Sequence, residues 1–147
     1  MKKAVHLLAA LLSLSLHAAD FPKGSPKFFT SSAAVLKAAK ENGKPVILVF
    51  SAAWCGPCQK MKMEVYPSSE VQPLQDKFNW AYLDIDEETN SKLAEGFKVE
   101  TIPHLFFLDS TGKTTLDDLK DVTPPKDFAK KLTKVLKKAE ASPKGGN

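Results

Sequence analysis

A chain of 147 residues, 43% hydrophobic and 26% charged, has material for one packed domain and not for several. Its basic side chains are all lysine, which removes the bidentate arginine clamps favoured for phosphate and carboxylate. The formal charge of +4 includes Lys2 and Lys3, and the remaining balance carries no nucleic-acid signature.

In chain order, Lys2 and Lys3 precede an apolar stretch, Ala4 to Leu16, too short to span a bilayer comfortably. His17-Ala18-Ala19 follows as a cleavage region. The pattern predicts a signal peptide over 1–19 and a periplasmic or otherwise extracytoplasmic mature chain. An uncleaved anchor or an N-terminal helix is the alternative. Residues 20–30, with Pro22, Gly24 and Pro26, read as a linker in which Phe28-Phe29 adds a short strand.

The domain is expected over 31–138. Ser31 or Ser32 caps a helix to about Glu41, and Asn42-Gly43 ends it. Val46 to Phe50 is a continuous apolar run and reads as a strand buried on both faces. Ser51 to Pro57 is a loop, and a helix runs from Cys58 to Tyr66, where Pro67 stops it. A shorter helical piece from Ser69 to Lys77 is interrupted by Pro73. Trp80 to Ile85 is a second core strand, and Glu87 to Phe97 a helix with acidic residues at its start. Leu105 to Leu108 and Thr114 to Leu119 form a hairpin across the Gly112 turn. Pro124-Pro125 opens a last helix to about Lys138, packed through Phe128, Leu132, Val135 and Leu136. Residues 139–147 read as a disordered tail. Alternating units followed by a hairpin predict an α/β fold, a central mixed sheet flanked by helices on both faces.

The chemistry lies in Trp54-Cys55-Gly56-Pro57-Cys58, between a buried strand and a helix. These are the only two cysteines, too close together to staple a long loop. A nucleophilic thiol must be a thiolate near neutral pH, whereas a free cysteine has a pKa of about 8.5. Cys55 stands where a helix N-terminus directs unpaired N–H groups and partial positive charge at its sulfur. Cys58 is one turn on, within reach of the same sulfur. Gly56 permits the tight turn, and Pro57 suits the first helical turn. The implied cycle is attack by Cys55 on a substrate disulfide, then attack by Cys58 on the mixed disulfide. A zinc site would need about four ligands. Beyond the signal region, His104 is the only histidine and no third cysteine exists, so no metal and no cofactor is expected.

The segment from about Lys44 to Lys138 resembles the thioredoxin family, through this W-C-G-P-C motif and through Thr101-Ile102-Pro103 before a strand. The resemblance implies a thioredoxin fold, with catalytic Cys55 and Cys58 and a substrate-binding set of Trp54, Gly56, Pro57, Ile102 and Pro103. It implies that Pro103 is a cis-proline packed against the pair and that the Ile102 backbone bonds the substrate strand. The chain also departs from the family. Val49 and Tyr82 stand where cytosolic members carry a buried Asp and its lysine, so the usual proton acceptor for Cys58 is absent. Glu100 and Glu64 are candidates by sequence proximity only, and each reads more readily as a solvated acid. The kinking proline of the active-site helix is missing, as is a glycine near Lys120 and Asp121. With the signal peptide, these differences resemble exported thioredoxin-like proteins, such as the C-terminal domain of the membrane reductase DsbD and related periplasmic thioredoxins.

A protein-disulfide reductase is therefore expected, because Gly-Pro between the cysteines is the dipeptide of the reducing members, at roughly −270 mV. Its expected partners are exported proteins with disulfides or reactive thiols, and a membrane thiol reductase as electron donor. A monomer that binds no nucleic acid is expected. Net oxidation or isomerisation is the alternative within the same chemistry. A copper-binding chaperone using Cys55, Cys58 and His104 is the alternative from another class. His104 would modulate the Cys55 thiolate if its ring lay close by, and otherwise is a strand residue facing away.

Overall fold

The computed structural model describes residues 21–142. The signal-peptide reading, and the tail beyond Ser142, lie outside the described residues. The mixed sheet has five strands in the order β1 (Phe28–Phe29), β3 (Asn79–Asp84), β2 (Val46–Ser51), β4 (His104–Leu108), β5 (Thr115–Lys120). The first three are parallel to one another, and β4 and β5 turn back antiparallel as a hairpin. Every residue of β2 is buried, as expected of a central strand covered on both faces.

Alternation along β2 sorts the core into two layers. Ile47 and Val49 face one side, with Met61 and Val65 and with Phe128, Leu132 and Val135 of the last helix, α5 (Pro125–Ala141). Val46, Leu48 and Phe50 face the other, against α1 (Ser32–Asn42) and α4 (Glu88–Gly96). Ser31 caps α1 by accepting from the Ala34 N–H at 3.2 Å, and Gly43 ends it at φ 71°. That left-handed conformation costs glycine nothing.

Four expectations change. The segment read as a linker carries packing contacts: Phe21 stacks on Phe28 and meets Tyr82 edge-on, and Gly24 O accepts from Gln75. An aromatic side chain finds apolar cover there at the β1 edge of the sheet. The active-site helix, α2, begins at Gly56 rather than Cys58, since Cys55 itself is the cap residue. It runs over Gly56–Lys60 and continues as a π turn over Met61–Val65, where Tyr66 N–H reaches back to Met61 O at 3.0 Å. A π turn changes the direction of the helix without a proline. Pro73 opens the short α3 (Gln72–Gln75) instead of interrupting it, because a proline is tolerated in the first turn. Finally, α5 runs to Ala141, past the expected end at Lys138.

Candidate active site

Sheet register builds the site. Phe50 pairs with His104 across β2 and β4, so the loop leaving β2 meets the loop entering β4. Ser51 pairs with Asp84 across β2 and β3, so the same loop also meets the segment after β3. Three loops from distant parts of the chain thereby converge on Cys55.

Cys55 and Cys58 form a disulfide with Cα atoms 5.2 Å apart. Both are buried, Cys58 the more deeply, at 1% exposure against 5%. The Cys58 N–H points at Cys55 Sγ, 3.2 Å away. In the reduced protein that donor, with the partial positive charge of the helix start, favours a thiolate on Cys55. Cys55 Sγ also lies 3.6 Å from the carbonyl oxygen of Ile102. Ala52, Ile85 and Ile102 pack around the pair.

An open groove of about 490 Å³ runs past the disulfide. Trp54, Cys55, Gly56 and Pro57 form one wall; Val99 to Ile102 and Ile85 form the other. Trp54 is 68% exposed yet fixed in place, because its indole N–H donates to both carboxylate oxygens of Asp86 at 3.1 Å. A largely apolar groove with Cys55 in its lining suits an extended peptide segment carrying a disulfide.

The structure thus brings together Trp54, Cys55, Gly56, Pro57, Cys58 and Ile102. Pro103 follows a cis Ile102–Pro103 bond and is buried beside this loop, its carbonyl accepting from the Asp121 N–H at 3.3 Å. His104 goes elsewhere. Its Nε2 lies 2.8 Å from Asp118 Oδ2, and its ring sits 4.1 Å from that of Phe106. Pairing with Phe50 puts it on the α1/α4 face, and it does not line the groove. Its hydrogen bond runs to Asp118 on β5, and no bond joins it to either cysteine. The copper reading fails on the same placement, since its three ligands are not assembled. Among the described residues no group of three or more His, Cys, Asp or Glu could hold a metal ion.

Glu64 and Glu100 are both exposed; Glu100 lines the groove and Glu64 lies outside it. Sequence reasoning missed Ile85 and Asp86, which the β2–β3 register brings in, and Val99, which the loop before β4 brings in. It also missed a hydroxyl pair: Ser51 Oγ and the Tyr82 hydroxyl lie 2.6 Å apart. Burial raises the Tyr82 pKa above the ordinary tyrosine value, and Asp84 adds to this against hydrogen bonds from Ser51 and Gln59. The one available signal for Asp86 was its position just past the carboxyl end of a core strand, where open α/β sheets place their sites.

The family model for the thioredoxin-like domain matches residues 33–136. Among curated proteins, the chain is similar to the chloroplastic thioredoxin-like protein HCF164 of Arabidopsis thaliana, with 37% identity over 109 residues, 74% of this chain and 41% of that protein. It is also similar to a thiol:disulfide interchange protein TxlA homolog of Synechocystis, 29% identical over 84 residues, 57% of this chain and 46% of that one. The chain therefore spans less than half the length of these relatives. Among solved structures, a Thermus thermophilus thioredoxin superposes with TM-score 0.72 at 25% identity, covering 80% of this chain and 92% of that one. The oxidised C-terminal domain of Neisseria meningitidis DsbD superposes with TM-score 0.64 at 23% identity, covering 74% and 98%. With the motif, the groove and the sheet order in agreement with a match over most of its length, the chain belongs to the thioredoxin-like family.

Proposed function

We infer that this protein is a thiol–disulfide oxidoreductase working outside the cytoplasm as a reductase of protein disulfides. One observation carries the reading. The Cys55–Cys58 disulfide sits at a helix start, with Cys55 Sγ beside an open groove and 3.6 Å from the Ile102 carbonyl. In the reductive direction, the Cys55 thiolate attacks one sulfur of a substrate disulfide held in the groove. A mixed disulfide forms and a substrate thiolate leaves. Cys58 then attacks Cys55 Sγ, the second substrate thiolate leaves, and the protein disulfide is restored. The second step is fast because Cys58 is already held in place. Trp54, Gly56, Pro57, Ile102 and Pro103 are the substrate-binding set.

The Gly56-Pro57 dipeptide supports the reducing direction, and the basic-then-apolar N-terminus supports export. Reduced Cys55–Cys58 must be regenerated, and a membrane thiol reductase is the donor suited to an exported chain. Exported proteins with disulfides or reactive thiols are the substrates. A monomer fits the surface: among the described residues, the large exposed hydrophobics are Trp54 and Met63.

The test is the redox equilibrium of the purified mature protein against glutathione, with insulin-disulfide reduction beside it. A potential near roughly −270 mV, with activity abolished by Cys55→Ser, is the expected result. A potential near roughly −120 mV would reverse the direction, and activity surviving in Cys55→Ser would remove the mechanism.

A further inference from the structure

Among the described residues that line the groove, the one ionisable side chain besides Cys55 is Glu100. The chain holds 21 lysines and a formal charge of +4, yet no lysine appears in that lining. Glu100 is exposed, and it joins none of the ion pairs among the described residues. Lys98, two residues earlier, is exposed and stands outside the lining. Asp86, the acid beside Trp54, is already bonded to the indole N–H. The Glu100 carboxylate is thus open to a molecule that lies in the groove.

Ile102 sets the spacing, because its carbonyl oxygen lies 3.6 Å from Cys55 Sγ. Glu100 is two residues before it, no more than about 7 Å along the chain. An extended peptide whose cysteine meets Cys55 Sγ carries its next same-face side chains two residues away, also about 7 Å off. The residue two positions from the substrate cysteine therefore comes level with Glu100. A lysine or arginine there meets an opposite charge beside apolar walls, and an aspartate or glutamate meets a like one. Exposed charge pairs are weak and salt-screened, so the discrimination is a matter of several-fold and fades as salt rises.

We propose that Glu100 is a specificity-determining residue, selecting disulfide substrates that carry a basic residue two positions from the attacked cysteine. The proposal rests on the reductase reading above and names the substrate class of that same groove. The bonds made and broken are those of the cycle already described. The Cys55 thiolate bonds to the substrate sulfur and the partner thiolate leaves; Cys58 then bonds to Cys55 Sγ and frees the substrate thiolate. The reduced dithiol supplies both electrons. Glu100 forms and breaks no covalent bond and is unchanged at the end; it acts on the approach and holding of the substrate.

The experiment mixes the reduced protein with short apolar peptides whose single cysteine is disulfide-bonded to 2-nitro-5-thiobenzoate. Three peptides carry Lys, Gln or Glu two positions from the cysteine on each side. The coloured thiolate reports attack by Cys55, and each rate is divided by that with dithiothreitol, which has no groove. Wild type is expected to favour the Lys peptide over the Glu peptide about fivefold at low salt. At about 1 M salt, where the screening length is about 3 Å, the preference should largely vanish. Glu100→Gln should bring the low-salt ratio below about twofold, and Glu100→Lys should invert it. The Gln peptide should react at the same rate with all three proteins, because the sulfur chemistry is untouched. A wild type without charge preference would overturn the proposal, as would a preference that survives in Glu100→Gln. An equal change for all three peptides would overturn it too, by placing Glu100 in the ionisation of the cysteines. Release of no thiolate from any peptide would remove the oxidoreductase reading itself, and the proposal with it.

Discussion

The indole N–H of Trp54 is held by the Asp86 carboxylate, 3.1 Å from each oxygen. Trp54 leaves β2 just before Cys55, and Asp86 leaves β3 on the neighbouring strand. The bond therefore fastens the groove wall nearest the nucleophile to the sheet. A large exposed ring held in one orientation loses less entropy when a peptide binds. Asp86→Ala is expected to raise KM for insulin about threefold with kcat nearly unchanged. Steady-state kinetics and Trp54 fluorescence check this; a fall in kcat alone would contradict it.

His104 supports the start of β4 through Asp118 and Phe106, apart from the cysteines. His104→Thr is expected to cost about 1–3 kcal/mol in denaturant unfolding, because a buried ring is removed. The Cys55 thiolate absorbance should titrate with an unchanged midpoint. A shifted midpoint would show the imidazole acting on the sulfur after all.

Asp117 joins β5 to α5. Lys131 Nζ lies 2.6 Å from one carboxylate oxygen and Lys138 Nζ 2.7 Å from the other. Burial pushes the carboxyl pKa up, but the two ammonium groups and the Asp118 N–H outweigh it and bring the value to about 2. The folded pKa is thus below the unfolded one, and the native state binds fewer protons between them. The contribution is complete above pH about 4 and is lost as pH falls toward about 2. It amounts to no more than about 2 kcal/mol, since Lys138 is half exposed. Urea melts of wild type and Asp117→Asn should differ by this much at pH 7 and converge at the acid end. A constant difference across pH would exclude the linkage.

Asp121 adopts φ 67°, the left-handed region, while its N–H bonds Pro103 O. This is the place, near Lys120 and Asp121, where the sequence lacks the glycine that family members often keep. An aspartate therefore holds a backbone conformation that favours glycine. Asp121→Gly should stay within about 1 kcal/mol of wild type, whereas Asp121→Val should lose about 1–2 kcal/mol. Equal stability of the two variants in thermal melts would show that the left-handed backbone is not what matters there.

The elements of the fold were legible because each has a local cause. The apolar run Val46 to Phe50 has no solvated face to offer, so it becomes the central strand. Ser31 and Gly43 bound α1 through a side-chain acceptor and a positive φ. The π turn after Lys60 left no such trace, since Met61 to Val65 suit an ordinary helix equally well. The Phe21 contacts were hidden for a related reason: Pro22, Gly24 and Pro26 mark irregular backbone, and irregular backbone can still pack.

From residue order alone came the sulfur chemistry, since two cysteines one helical turn apart at the end of a buried strand are a local arrangement. From residue order came also the mixed sheet and the two loops that carry Trp54 to Cys58 and Thr101 to Pro103. Which groups would meet those sulfurs was decided by strand register. Pairing Phe50 with His104 and Ser51 with Asp84 sets Ile102 beside Cys55 and Asp86 within reach of Trp54, and it puts the His104 ring against Phe106 and Asp118. Register is a property of the assembled sheet: a shift of one residue would exchange its faces, and no short stretch of sequence records it.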